Sequence, residues 1–155
     1  MSFMTWTSAM SVGVPELDED HRVLFRIINQ LAESKKNDDR AGIFRQSLYS
    51  LLRYAEFHFA REEKVLAACD FPGMTHHKQE HRAFTDHMKK LAEALDDEKL
   101  PAAEVVSQDL LAYLKDWLNH HILIEDMAYR KLAELNPSAR EAARTFRASE
   151  IWWTG

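Results

Sequence analysis

The chain is 155 residues long, 46% hydrophobic and 29% charged, with a net charge of −5 at neutral pH. That balance predicts one globular domain with a real core; it excludes a disordered chain and, with no long basic run, disfavours a nucleic-acid partner. The single cysteine, Cys69, excludes an intrachain disulfide and fits a reducing compartment.

The opening stretch MSFMTWTSAMSVGVPEL has no basic segment followed by an apolar one, so no secretory signal is expected. No apolar run approaches the ~20 residues of a membrane span, and the expected location is the cytoplasm. Four glycines and four prolines are few breakers, which favours long helices. Residues 1–17 read as an extended arm, with Trp6, Val12, Val14 and Leu17 folding back on the core. A first helix is predicted from Asp18, as N-cap, to about Lys36; Leu24, Ile27, Ile28 and Leu31 form its apolar stripe. KNDDR is a polar loop. A second helix spans about Ala41–Ala68, with Phe44, Leu48, Leu51, Leu52, Ala55, Phe59, Val65 and Leu66 facing inward. CDFPGM breaks it, since Pro72 and Gly73 do not sit comfortably in a helix. A third helix covers about Thr75–Leu95, and after DDEKL a fourth runs from Pro101 to about Leu135. Asn136 caps and Pro137 opens a short fifth helix to about Ser149. The prediction is all-α: an antiparallel up-down-up-down four-helix bundle over 18–135, with the 1–17 arm and a 136–155 extension in the same domain.

Polar residues interrupt the apolar faces of these helices. His58 and Glu62 are four apart, as are His77 and His81; His121 and Asp126 are five apart, and His21 lies near the start of the first helix. Residues four apart differ by about 40° around a helix, so each such pair points one way. Taken singly, each histidine reads as a surface residue or a core residue with a satisfied hydrogen bond. Taken together, four helices each supply an imidazole, two also supply a carboxylate, and antiparallel packing brings all of them to one end of the bundle. Buried carboxylates need compensation, which metal ions provide. Five imidazoles and two carboxylates are too many for one four-coordinate zinc; they suit two octahedral-leaning ions bridged by the carboxylates, and are compatible with iron. The Glu-x-x-His pairs of ferritin-type diiron bundles are absent.

The segments LDEDHRVLF, HFAREE, HKQEHRAF and WLNHHILIED, in that order and spacing, resemble the hemerythrins, most closely the single-domain bacterial ones, over residues 6 to about 130. The resemblance implies two iron ions per chain. One would be held by His77, His81 and His121, the other by His21 and His58 with one position open. Glu62 and Asp126 would bridge them beside an oxo or hydroxo group. It also implies reversible end-on dioxygen binding at the open iron, in a dry pocket expected to be lined by Leu24, Phe59, Trp117, Leu118 and Ile122. These five side chains are core packing as well. No acid or base stands out among them, which favours reversible binding over turnover, and no catalytic residue is assigned.

Two histidine doublets need resolving. Only His77 makes a four-residue step to His81, so His76 points elsewhere. At the second doublet the resemblance selects His121, directly before an isoleucine and five before an aspartate. Five residues on a straight α-helix subtend about 140°, which predicts either a local π-type widening or an aspartate reaching sideways between the ions. His87 is expected to be exposed, Glu63 to make surface contacts or to support a ligand, and Cys69 to be an ordinary half-buried thiol. The tail ASEIWWTG, with Ile151, Trp152 and Trp153, reads as a segment packed over the bundle; the sharper alternative is a docking segment for a protein partner or second copy. A monomeric, non-enzymatic dioxygen carrier, store or buffer is the leading function. The alternatives are an oxygen or redox sensor acting through a separate partner, a diiron peroxidase or oxidase, and a zinc- or iron-storing bundle.

Overall fold

In the computed structural model, residues 2–34, 40–96 and 103–147 are described. After a short 3-10 turn at Ser8–Met10 come α1 (Pro15–Ser34), α2 (Arg40–Ala68), α3 (Met74–Asp96) and α4 (Ala103–His120). α4 continues as a π turn, His121–Asp126, then a 3-10 turn, Met127–Tyr129, α5 (Arg130–Glu134) and α6 (Pro137–Thr145). The described residues contain no strand. The fold is an all-α bundle of four long helices.

α1 begins at Pro15, earlier than the Asp18 start expected from sequence, with the ring at the first helical position where its missing N–H costs nothing. Asp18 lies inside the first turn; its own N–H bonds to the Val14 carbonyl. Its carboxylate instead holds the arm, accepting from the Ser11 hydroxyl at 2.6 Å and the Val12 N–H at 2.8 Å. Val12, Val14 and Leu17 are buried there. Farther up, Asn29 pins the arm from both sides, accepting from the Met4 N–H at 2.7 Å and donating to its carbonyl at 2.9 Å. Trp6 is partly buried beneath the Arg22 guanidinium.

The α2–α3 break follows its local chemistry. The Phe71 N–H returns to the Leu66 carbonyl, Asp70 takes a left-handed φ of 53°, and the chain re-enters a helix at Met74. Cys69 is buried rather than half-buried, because it packs with Val65 and Leu66 and donates its thiol to the Leu66 carbonyl. At the other end of the chain, the Asn136 side chain caps α6 by accepting from the Ala139 N–H at 2.9 Å. α6 lies against α2, with Ala139 and Ala143 buried at the contact. Small side chains there permit close approach of the two helices. Phe146 closes the contact edge-on to Phe57. Of the two expected loops, Arg40 instead opens α2 and Asp96 closes α3; the rest of both loops, the Phe44 side chain, the Pro101 start and residues 148–155, Ile151, Trp152 and Trp153 included, lie outside the described residues.

The apolar interior is in two clusters. The larger runs through Leu24, Ile28, Leu51, Phe59, Phe84, Leu114, Leu118 and Ile122. The smaller holds Val12, Val14, Leu17, Val65, Leu66, Cys69, Tyr129, Ala133, Ala139 and Ala143. Between Leu17 and Leu24 on α1, and between Phe59 and Val65 on α2, sits a layer of buried ionisable side chains.

Candidate metal centre

His21, His58, Glu62, His77, His81, His121 and Asp126 are all buried. His21 is in the second turn of α1, His58 and Glu62 near the end of α2, His77 and His81 in the first turns of α3, and His121 and Asp126 just past α4. Since these side chains touch, successive helices must alternate in direction. Each helix presents its polar residues where an apolar stripe would otherwise continue.

The two carboxylates divide the imidazoles between them. Glu62 Oε1 faces the Nε2 atoms of His77, His81 (3.0 Å) and His121 (3.7 Å). Glu62 Oε2 faces His58 Nε2 at 3.2 Å and His21 Nε2 at 3.9 Å. Asp126 repeats the division: Oδ1 lies 3.0 Å from His77 Nε2 and 3.1 Å from His121 Nε2, and Oδ2 lies 3.3 Å from His21 Nε2. Two overlapping groups result, one of Glu62, His77, His81 and His121, the other of His21, His58, Glu62 and Asp126; in each, the candidate ligand atoms all lie within 4.8 Å of one another.

The π turn explains the five-residue step. Its i→i+5 winding returns residue 126 to the side of the helix that carries residue 121, as i+4 does in an α-helix. His121, Ile122 and Asp126 therefore turn inward while Leu123 and Ile124 are exposed.

The second nitrogens of His58 and His81 have carboxylate partners, whereas those of His21 and His121 have none; of these partners, sequence reasoning singled out only Glu63. Asp20 accepts from His58 Nδ1 at 3.0 Å and from the Tyr54 hydroxyl at 3.0 Å. Glu63 accepts from His81 Nδ1 at 3.0 Å, so it supports a candidate ligand. The buried Tyr129 hydroxyl donates to Glu62 Oε2 at 3.0 Å. A donating Nδ1–H leaves Nε2 as the atom that offers a lone pair inward. Asp20 adjoins His21 in sequence, and Tyr129 falls three residues after Asp126. Neither spacing signals that the contact crosses to another helix.

The charges reinforce one another. Burial alone would lower the pKa of His58, but its hydrogen bonds to Asp20 and Glu62 outweigh this and raise it to about 10. Against the same burial, Asp126 and Glu62 raise His77 to about 10 and His121 to about 9. Burial pushes the two carboxylates up, yet the surrounding imidazoles hold both well below the usual carboxylate range. Burial, with the charges of Glu62 and Asp126, drives the Tyr129 phenol far upward, so it stays a donor.

The five expected pocket residues belong to the larger apolar cluster, four buried and Trp117 partly so. Phe59 stacks on the His81 ring at 3.9 Å between centroids, and Trp117 on His121 at 4.5 Å. Phe59 and Trp117 meet edge-on at 5.9 Å. His76, His87 and His120 are exposed; exposure was expected of His87, and His76 points away from the centre as its spacing to His81 implied.

A helical bundle with two overlapping imidazole–carboxylate groups at one end defines a class: helical cation-binding domains. Residues 12–133 match the family model described as the hemerythrin HHE cation binding domain. The chain is 32% identical to a bacteriohemerythrin of Clostridium acetobutylicum over 80% of this chain and 96% of that protein. It is 29% identical to the bacteriohemerythrin of Stenotrophomonas maltophilia over 91% and 90%, and 30% identical to the myohemerythrin of Riftia pachyptila over 81% and 89%. The crystal structure of a wild-type hemerythrin superposes with a TM-score of 0.75 at 23% identity, covering 84% of this chain and 98% of that one. The chain belongs to the hemerythrin family. No helix among the described residues is long and apolar enough to cross a membrane.

Proposed function

We propose that this chain binds dioxygen reversibly at a non-haem diiron centre, as a non-enzymatic carrier, store or buffer working as a cytoplasmic monomer. One unit would do this, the 18–135 bundle together with its arm and its 136–155 extension. His77, His81 and His121 would hold one iron; His21 and His58 would hold the other and leave a position open; Glu62 and Asp126 would bridge. The single observation that carries the reading is the division of both carboxylates, one oxygen to each imidazole group. Unpartnered buried polar atoms support the fit: neither Asp126 oxygen has a hydrogen-bond donor beyond the imidazole contacts, and the Nε2 atoms of His21 and His58 face each other at 3.1 Å. Such a convergence of acceptors suits cations. An iron pair bound there in the ferrous state, with an oxo or hydroxo group between the ions, would supply the electrons that reversible dioxygen binding needs.

The protein's own residues supply orientation and dryness. Asp20 and Glu63 fix the tautomers of His58 and His81. Tyr129 keeps its proton and donates a hydrogen bond to Glu62 Oε2, the oxygen nearer the two-imidazole group. Leu24, Phe59, Trp117, Leu118 and Ile122 keep the larger apolar cluster continuous up to the imidazoles, which excludes water from that side.

The test is metal analysis with optical spectra through one cycle of anaerobic reduction and aeration. An oxygen-dependent visible band that vanishes on deoxygenation is expected. Rapid irreversible oxidation would point to sensing or turnover, and a colourless zinc protein would remove iron from the account.

A further inference from the structure

Outside the buried centre, three side chains meet at its rim. His76 Nε2 lies 3.2 Å from Glu125 Oε2, and His120 Nε2 lies 3.5 Å from Glu125 Oε1. Glu80, one turn on from His76, reaches it at 3.7 Å. Each of the three is the immediate predecessor of a buried residue: His76 of His77, His120 of His121, Glu125 of Asp126. Neighbours on an α-helix point about 100° apart. Where the successors converge inside, the predecessors are carried to the same level outside. The meeting of His76, His120 and Glu125 thus follows from the architecture of the centre, although they belong to the ends of two helices far apart in sequence.

We propose that His76, His120 and Glu125, with Glu80 at the margin, form a separate surface site for one divalent transition-metal ion. Two imidazoles and a carboxylate are a known ligand set for such an ion, with water completing the shell. Ligand atoms about 2.1 Å from a common ion sit roughly 3.0–3.4 Å apart; the two imidazole–carboxylate separations, 3.2 and 3.5 Å, are close to this but run to opposite oxygens of Glu125, so the two rings must swing toward each other to share one ion. Imidazole donors select zinc-like or iron-like ions over calcium and magnesium. The His76 and His120 side chains are 60% and 59% exposed, so their rings can close on an ion arriving from solution, while Glu125 at 21% is the fixed point between them. This site would hold an ion one residue away, along three chain segments, from the buried ligands.

Zinc titration of the iron-loaded, air-oxidised protein by calorimetry tests this, with iron content measured alongside. One zinc per chain is expected, lost in the His76→Asn/His120→Asn variant and in Glu125→Gln while iron content stays at the parent level. No zinc uptake by the parent, or uptake that survives both variants, overturns the inference. So does loss of iron together with zinc, which would make these residues part of the buried centre. If the buried centre itself takes zinc instead of iron, the same variants should still remove one ion from the total, which keeps the two questions apart.

Discussion

α3 and the π turn after α4 solve one problem in opposite ways. In α3 the spacing is fitted to the helix: His77 and His81 are four apart, and ordinary α winding aims both rings inward. After α4 the helix is fitted to the spacing: His121 and Asp126 are five apart, and the backbone widens to bring them to one side. Regular winding costs nothing; the π turn gives up α hydrogen bonds and is followed by a 3-10 turn before α5 resumes. Buried donors can evidently dictate backbone geometry where their convergence is worth more than one turn of regular helix.

The largest expected effect falls on what both segments share. Glu62 faces imidazoles from every side, so Glu62→Ala should abolish iron uptake by metal analysis and cost the metal-free chain about 3–5 kcal/mol in chemical denaturation, the usual penalty for breaking a buried ion pair. Next comes pH. In chelator-stripped protein, His58 and His77 at about 10 and His121 at about 9 lie above the unfolded histidine value of 6.5. Their stabilisation is complete below that value and lost as pH rises through about 9 to 10. Glu62 and Asp126 are depressed, so their share is present above ordinary carboxylate values and lost as acid reaches the depressed ones. Thermal midpoints of stripped protein should therefore fall on the alkaline side, and iron-loaded protein, which needs no protons there, should fall less.

A smaller effect separates the two segments. His81 has Glu63 behind it, whereas His121 Nδ1 has no hydrogen-bond partner. Glu63→Gln should weaken iron affinity by about 10–100-fold in a chelator competition. An unchanged affinity would mean α3 gains nothing from that support. The smallest effect is expected from deleting the exposed Ile124, which should convert the π turn to α winding and keep His121 and Asp126 on one side. Retained iron content would show that the widening merely accommodates the extra residue; lost iron would show that it aims the aspartate.

The long helices were legible because few breakers interrupt them and because stripes such as Leu24–Ile28–Leu31 repeat at helical spacing. Four of the seven polar residues were legible as i, i+4 pairs on apolar faces; His121 was chosen over His120 through the resemblance, and the five-residue step left a π-type widening and a sideways-reaching aspartate both open. Asp18 misled: aspartate before an apolar stripe reads as a cap, yet this one serves the arm, a contact that no helical period encodes. Asp20, Tyr54 and Tyr129 stayed hidden for a similar reason. Their hydrogen bonds join helices 34 to 67 residues apart, and only tertiary packing sets such pairings.

The ionisable stratum also divides the oily interior: Val12 and Val14 of the arm, the end of α2, α5 and α6 share one apolar cluster, while Met4 and the start of the arm pack with the main body on the other side. Sub-global opening occurs in roughly contiguous cooperative units, and here the boundary between the two apolar clusters is a layer of buried charge. If cations fill that layer, amide exchange in α6 is expected to slow along with exchange in the main body; exchange in α6 that ignores added metal would mean the two clusters open independently of it.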